Sequence, residues 1–317
     1  MSLNYAINHV IRRCQIKEKQ MSKRLIILLI AVCYCWLNCI ATNRALLVGI
    51  GKYPTAKTGW KPIHGDADIE LLIPSLKKNG FTDIKTLINQ DATKNNIVSA
   101  LKALAVRCQT GDKVYFHFSG HGQPIADENN DEDGEFDESM VPFDAYRASY
   151  TTSYGKYEGQ NHLIDDEYNP LLNTIKKKIG AKGEMFVVID ACYSEGMERG
   201  DEDELGIEDK DILTSARGTS DPFTVKGHST YLKGIPQPKR FTQGALLTIV
   251  SACLKTERNY EYKTATGKMY GSLSFYIYTL LKSDANFSRW TKCFEHKDYK
   301  RYKIFQIVQH PTITTYK

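Results

Sequence analysis

The 317-residue chain has no cysteine framework. Its eight cysteines stand at Cys14, Cys33, Cys35, Cys39, Cys108, Cys192, Cys253 and Cys293. No pair of them makes a CxxC, so neither a disulfide scaffold nor a structural zinc site is expected. Cys108 closes an amphipathic stretch and Cys253 ends an apolar one, the places of small core residues. A basic stripe is also missing. The net charge of +5 sits in the first 41 residues, where Arg12, Arg13, Lys17, Lys19, Lys23 and Arg24 face only Glu18. The remainder is near neutral, which argues against a nucleic-acid partner. There is no internal repeat and no convincing domain boundary beyond residue 41.

Nor is there a full-length apolar span. Residues 25–36 are nearly all apolar, but a membrane helix takes about 20 such residues. Lys23-Arg24 before the run and Ile40-Ala41 after it have the order of an export signal. Met21 reads as the start, residues 1–20 as an upstream extension and 21–41 as a signal peptide or anchor. The expected location is therefore exported: periplasmic, secreted or membrane-anchored. Membrane contact is expected only if the leader is retained. Residues 42–317 are expected to form one domain.

What the body does have is alternation. Apolar strands are expected at 45–50, 84–88, 114–118, 185–190 and 246–252. Between or after them come helical patterns at 69–78, where Pro74 forces a kink or a late start, at 166–179 and at 273–281. Another starts at Thr93, a capping residue, with Ile97, Leu101, Leu104 and Ala105 at helical spacing. Strand and helix in alternation predict an α/β fold, a mainly parallel sheet with helices on both faces. In such sheets the chemistry collects beyond the C-terminal strand ends.

Two strands end in reactive residues. One runs through Phe116-His117-Phe118 into Ser119-Gly120-His121-Gly122. The other runs through Val187-Val188-Ile189 into Asp190-Ala191-Cys192-Tyr193-Ser194. As sheet neighbours they would bring His121 and Cys192 together, the thiol and imidazole needed for nucleophilic acyl transfer. His117 lies within its strand and is expected to be packed. Two segments break the pattern. Residues 127–138 are strongly acidic, and 195–243 are too long and polar for a plain connection.

The order SGHG, DEDGEFDE, LIDDE, DACYSEG resembles the metacaspases, within the caspase-like cysteine peptidases. The likeness extends over about residues 44–315. It implies a caspase-like fold and a cysteine endopeptidase with His121 as base and Cys192 as nucleophile. Backbone N–H groups of Gly122 and Cys192 become candidates for the oxyanion hole. The family's aspartate two residues before the nucleophile matches Asp190 and implies cleavage after Arg or Lys, so peptide or protein substrates with basic residues. Ser119 and either Asp66 or Asp68 would complete the pocket. Calcium is a possible cofactor, held through Asp137, Asp165 and Asp166, though the chemistry itself requires none. An EF-hand does not fit, because Met140 stands where the closing glutamate belongs. Self-cleavage is expected after one of Arg199, Lys210, Arg217, Lys226, Lys233, Lys239 or Arg240. Glu195, inserted before the family's glycine, supports a rival reading: a catalytically silent caspase-like domain that binds a partner or peptide.

Overall fold

The computed structural model describes residues 20, 23, 41–126, 136–147, 151–152, 155–192, 216–218, 241–254, 257–305 and 309–317. The leader, the acidic run 127–135 and most of 195–243, with Glu195, lie outside the described residues. The chain divides into two units, Met1–Ala41 and Thr42–Lys317. Among the described residues no helix is long and apolar enough to cross a membrane.

In chain order the strands are β1 (Asn43–Gly49), β2 (Phe81–Ile88), β3 (Lys113–Ser119), β4 (His121–Ala126), β5 (Phe136–Val141), β6 (Thr151–Thr152), β7 (Gly155–Lys156), β8 (Leu163–Ile164), β9 (Glu184–Asp190), β10 (Leu246–Ser251), β11 (Glu261–Lys263), β12 (Met269–Gly271) and β13 (Thr312–Tyr316). The helices are α1 (Thr55–Thr58), α2 (Gly65–Lys78), α3 (Lys94–Arg107), α4 (Asp165–Ile179), α5 (Ser272–Leu281) and α6 (Phe287–Glu295). The central sheet has the order β13-β10-β9-β3-β1-β2, parallel except for the antiparallel edge strand β13.

The central strands β1, β3 and β9 are buried on both sides, so both faces need cover. Leu46, Val48, Val114, Phe116, Met185 and Val187 pack under Leu101 and Leu104 of α3 and Leu172 and Ile175 of α4. Their chain neighbours Ala45, Leu47, Tyr115, Phe186 and Val188 pack under Ile69 and Leu72 of α2, Ile277 of α5 and Trp290 of α6. Trp290 meets Phe186 edge-on, with centroids 5.3 Å apart. Such a pair adds about 0.5–1.5 kcal/mol beyond area burial. Thr93 caps α3 by accepting from the Asn96 N–H at 3.3 Å.

One local expectation is corrected. Pro74 neither delays nor starts its helix; α2 begins at Gly65 and contains it. The carbonyl four residues back belongs to exposed Glu70, so water can satisfy the bond proline cannot make. The segment after Gly120 is β4, in an antiparallel sheet of order β4-β5-β8. Its residues are buried throughout, which hides the alternation that marks a half-exposed strand.

Candidate active site

The site begins with strand register. β3 and β9 run parallel, with Ser119 opposite Asp190. Two residues beyond that pair come His121 and Cys192, both buried at the C-terminal end of the sheet. Gly120 makes the turn between β3 and β4 because there is no room for a side chain. A Cβ there would come within 2.8 Å of the Phe118 ring and the Tyr53 hydroxyl.

His121 sits in an aromatic box. Trp60 stacks on it and Tyr53 lies tilted beside it, each with centroids 4.8 Å away. The Tyr53 hydroxyl accepts from the His121 N–H at 3.0 Å and donates to the Val141 carbonyl at 2.8 Å. His121 Nε2 lies 2.8 Å from the Lys61 carbonyl, which can only accept. Nε2 therefore carries the proton. Nδ1, which has no hydrogen-bond partner among the described residues, is left as the basic atom. Burial pushes the ring's pKa down to about 4, so it is neutral at physiological pH. The Cys192 thiol donates to the Glu257 carbonyl at 3.4 Å, as does that of Cys253, two residues past the end of the neighbouring strand β10.

Residues 216–218 lie across this pair. The Arg217 carbonyl oxygen accepts from Cys192 N at 2.8 Å and from Gly122 N at 3.3 Å. These are the two groups expected to form an oxyanion hole. The Arg217 N–H donates to the Asn259 carbonyl at 2.9 Å. Ala216 bridges Tyr260 in antiparallel fashion, and Gly218 bridges Gly122. The segment is thus held by backbone on both sides, as an added strand would be.

The Arg217 side chain is fully buried in an acidic pocket. Nη1 lies 2.9 Å from Asp68 Oδ2 and also donates to the Ser119 hydroxyl. Nη2 lies 2.8 Å from Glu261 Oε1, while Asp190 Oδ1 is 3.7 Å from Nη1. Burial opposes the arginine's charge, but Asp68, Asp190 and Glu261 together raise its pKa. Burial raises Asp68 to about 7, with Arg217 pulling the other way and Asp190 adding to the rise. Glu261 also resists burial, yet Arg217 and the hydrogen bonds from His64 hold it down to about 2. The difference lies in their neighbours. Glu261 takes the His64 N–H and ring, each at 2.8 Å, whereas Asp68 shares one guanidinium nitrogen with Asp190.

The choice between Asp66 and Asp68 is decided by the helix. Residues two apart on a helix point to nearly opposite sides. Gly65 lets α2 start against the end of β3, where a Cβ would lie 2.5 Å from the Ser119 carbonyl. Asp68 then faces the sheet and accepts from the Ser119 hydroxyl at 2.6 Å and from Gly271 N at 2.9 Å. Asp66, offered as an alternative pocket residue, turns away to Asn89 Nδ2 at 3.0 Å and does not line the pocket.

Asp190 faces the pocket, but its hydrogen bonds go elsewhere. Oδ2 accepts from the Ser274 N–H at 2.8 Å and hydroxyl at 2.6 Å, and Oδ1 accepts from Asn259 Nδ2 at 2.7 Å. Since the Ser274 hydroxyl donates to Asp190, its oxygen receives the His117 Nε2 proton at 2.9 Å. His117 Nδ1 in turn receives the Tyr115 hydroxyl at 2.6 Å. His117, expected to be packed, is buried and serves as a link in this chain.

The proposed calcium ligands come together only in part. Ser139 pairs with Ile164, which brings Asp137 and the Asp165-Asp166 pair to one end of β5 and β8. Yet no group of three or more His, Cys, Asp or Glu among the described residues is placed to hold a metal ion. As arranged here, the three carboxylates are not a ligand set.

Sequence reasoning missed Tyr53, Trp60, Asn259, Glu261, Gly271 and Ser274. All lie far from both motifs along the chain. For Glu261 the only signal was an acidic residue just beyond the apolar strand that ends at Cys253.

His121 and Cys192 thus lie buried beyond the ends of neighbouring strands of an α/β sheet, with an acidic pocket beside them. Residues 43–198 match the family model described as "Metacaspase, peptidase C14 domain". Metacaspase-2 of Arabidopsis thaliana is 33% identical over 160 residues, 48% of this chain and 34% of that protein. Metacaspase-1 of Candida albicans is 29% identical over 175 residues, 51% of this chain and 35% of that protein. The chain spans about a third of the length of these curated relatives. A crystal structure of a protein from Geobacter sulfurreducens shares the fold, with a TM-score of 0.59 at 20% identity, covering 86% of this chain and 93% of that one. Over residues 43–198 the chain is similar to the metacaspases.

Proposed function

We propose that the chain is a cysteine endopeptidase that cuts after arginine or lysine. One observation carries the reading: Arg217 lies with its guanidinium among Asp68, Ser119, Glu261 and Asp190 while its carbonyl oxygen meets Gly122 N and Cys192 N. A pocket of three buried carboxylates is costly when empty, and a cation relieves it. An arginine fork meets two of them at once, where a lysine meets them as a single point charge.

In this reading His121 Nδ1 takes the thiol proton and Cys192 attacks the carbonyl carbon after the basic residue. The two N–H groups stabilise the resulting oxyanion, a contribution of about 2.7–4 kcal/mol per donor in well-studied hydrolases. His121 then protonates the leaving amine, and water releases the acyl group. The test is a matched fluorogenic pair with Arg or Asp before the scissile bond. Arg should be cut far better, and equal turnover of the two would defeat the assignment.

The basic-then-apolar order of residues 23–41 supports export as part of this proposal. Calcium activation rests on the likeness to the family. Asp137, Asp165 and Asp166 share one end of a strand pair without forming a ligand set, so no step is routed through the ion.

A further inference from the structure

We propose that Cys192 and Cys253 form a dithiol site that takes hydrogen peroxide and closes to a disulfide. The proposal does not require that the chain cut peptides. Cys253 has no part in the chemistry assigned to His121 and Cys192, and by sequence it is a core residue ending an apolar run. Its place in the fold gives it a partner. β9 and β10 are parallel neighbours, with Ser251 opposite Ile189. The pairing runs on past Ser251, where the Ala252 N–H donates to the Ile189 carbonyl at 3.1 Å. Cys192 and Cys253 each lie two residues past the end of one of these strands, and both stand as thiols.

Three observations bring the sulfurs together. First, both thiols donate to one oxygen, the Glu257 carbonyl, each at 3.4 Å. Second, Cys253 and Cys192 hydrogen-bond to each other, and that bond, with burial, holds the Cys253 thiol well above the usual cysteine range. Third, the residue that offers the shared oxygen is fixed. The Glu257 N–H donates to the Leu254 carbonyl at 3.0 Å, and its carboxylate takes the His310 N–H at 2.8 Å and ring at 2.6 Å. Chains leaving neighbouring strands start about 4.7–4.9 Å apart, within the Cα span of about 4.4–6.8 Å that a disulfide bridges. Cys192 is 1% exposed and Cys253 5%, so the oxidant must be small. Hydrogen peroxide meets that condition and a bulky mixed disulfide does not.

The steps balance with one peroxide. His121 Nδ1 takes the Cys192 proton, and the sulfur attacks one peroxide oxygen. The O–O bond breaks, and the leaving hydroxide takes the proton from His121 to become water. Cys192 is thereby oxidised by two electrons to a sulfenic acid. The Cys253 sulfur then attacks the Cys192 sulfur. The S–O bond breaks, and the Cys253 proton leaves with the hydroxyl as a second water. Two thiols and one peroxide give one disulfide and two waters. The shared hydrogen bond divides the roles, since Cys253 keeps the proton that the departing hydroxyl needs.

The test uses the full chain. Purified protein is treated with an equimolar amount of hydrogen peroxide, blocked with iodoacetamide in denaturant, digested without reductant and read by mass spectrometry. The expected product is a cross-linked pair of peptides carrying Cys192 and Cys253, undone by dithiothreitol, with Cys108 and Cys293 alkylated as ordinary thiols. Cys253→Ala removes the second sulfur, and Cys253→Ser also keeps a hydroxyl for the Glu257 carbonyl. In both, Cys192 should go on to sulfinic acid, which dithiothreitol does not reverse. After peroxide and then dithiothreitol, wild type should hold at least about fourfold more alkylatable Cys192 than either variant. Circular dichroism checks that the variants fold. Unoxidised Cys192, sulfinic acid without a cross-link in wild type, a cross-link to another cysteine, or equal recovery in a folded variant overturns the proposal. Cross-linking in a chain that cuts no arginine peptide leaves the dithiol site standing while the peptidase reading falls.

Discussion

Arg217 presents its carbonyl oxygen to the backbone N–H of Cys192 at 2.8 Å, which sets the peptide bond after Arg217 beside the residue that carries the thiol. This placement depends on the register that sets β9 beside β3. Removing either reactive group should leave that register unchanged. Cys192→Ala and His121→Ala are each expected to lower kcat/KM on an arginine peptide by at least about a thousandfold. Thermal melting and circular dichroism check that the fold persists. Retention of most activity in Cys192→Ala would sink the peptidase reading.

Specificity should divide unequally among the carboxylates. Asp68 and Glu261 lie within 3 Å of the guanidinium, while Asp190 Oδ1 stands 3.7 Å away and is held by Ser274 and Asn259. Asp68→Asn and Glu261→Gln are each expected to raise KM for arginine peptides by about 30-fold or more, the loss of a buried charge-assisted contact. Asp66→Asn should leave KM unchanged. Steady-state kinetics on four variants, Asp190→Asn included, give the ranking. A larger effect at Asp190 than at Asp68 would reverse this account.

Ser274 is expected to act through position. Its hydroxyl joins His117 Nε2 to Asp190 Oδ2, so Ser274→Ala strands a buried donor and removes one donor from a buried carboxylate. Leaving such groups unmet costs about 1–3 kcal/mol each. The measurement is the urea midpoint of the folded chain. Ser274→Thr, which restores the hydroxyl, should recover most of the loss; no recovery would mean that packing alone explains it.

Acid should weaken the fold through two buried histidines, against a smaller opposing gain from Asp68, whose carboxyl burial raises to about 7. Burial pushes His117 down to about 3, with Asp190 opposing the shift and Arg217 adding to it. An unfolded histidine titrates near 6.5. Between these values the unfolded chain binds a proton that the folded chain does not. The neutral ring's contribution is therefore complete above about pH 6.5 and is lost as pH falls toward 3, at about 1.4 kcal/mol per pH unit. His121, held down to about 4, adds a loss of the same sign. Urea midpoints should fall between pH 6.5 and 4.5, less steeply in His117→Gln. Parallel slopes for the two proteins would remove His117 from the cause.

The sequence by itself determined the layering and the placing of His121 and Cys192 at the ends of two strands. Apolar runs separated by helical periodicity are strong local signals, and the small residues around His121 and the apolar strand before Cys192 stand out without neighbours. Tertiary structure alone decided the pocket. Asp66 and Asp68 look equivalent in sequence, and only the seating of α2 at Gly65 against Ser119 turns one inward. Arg217 looks like six other basic residues, and only the ends of β3 and β9 give it two N–H donors and three carboxylates. Glu261 and Ser274 carry no local mark, because what makes each of them functional is a contact with a residue distant along the chain.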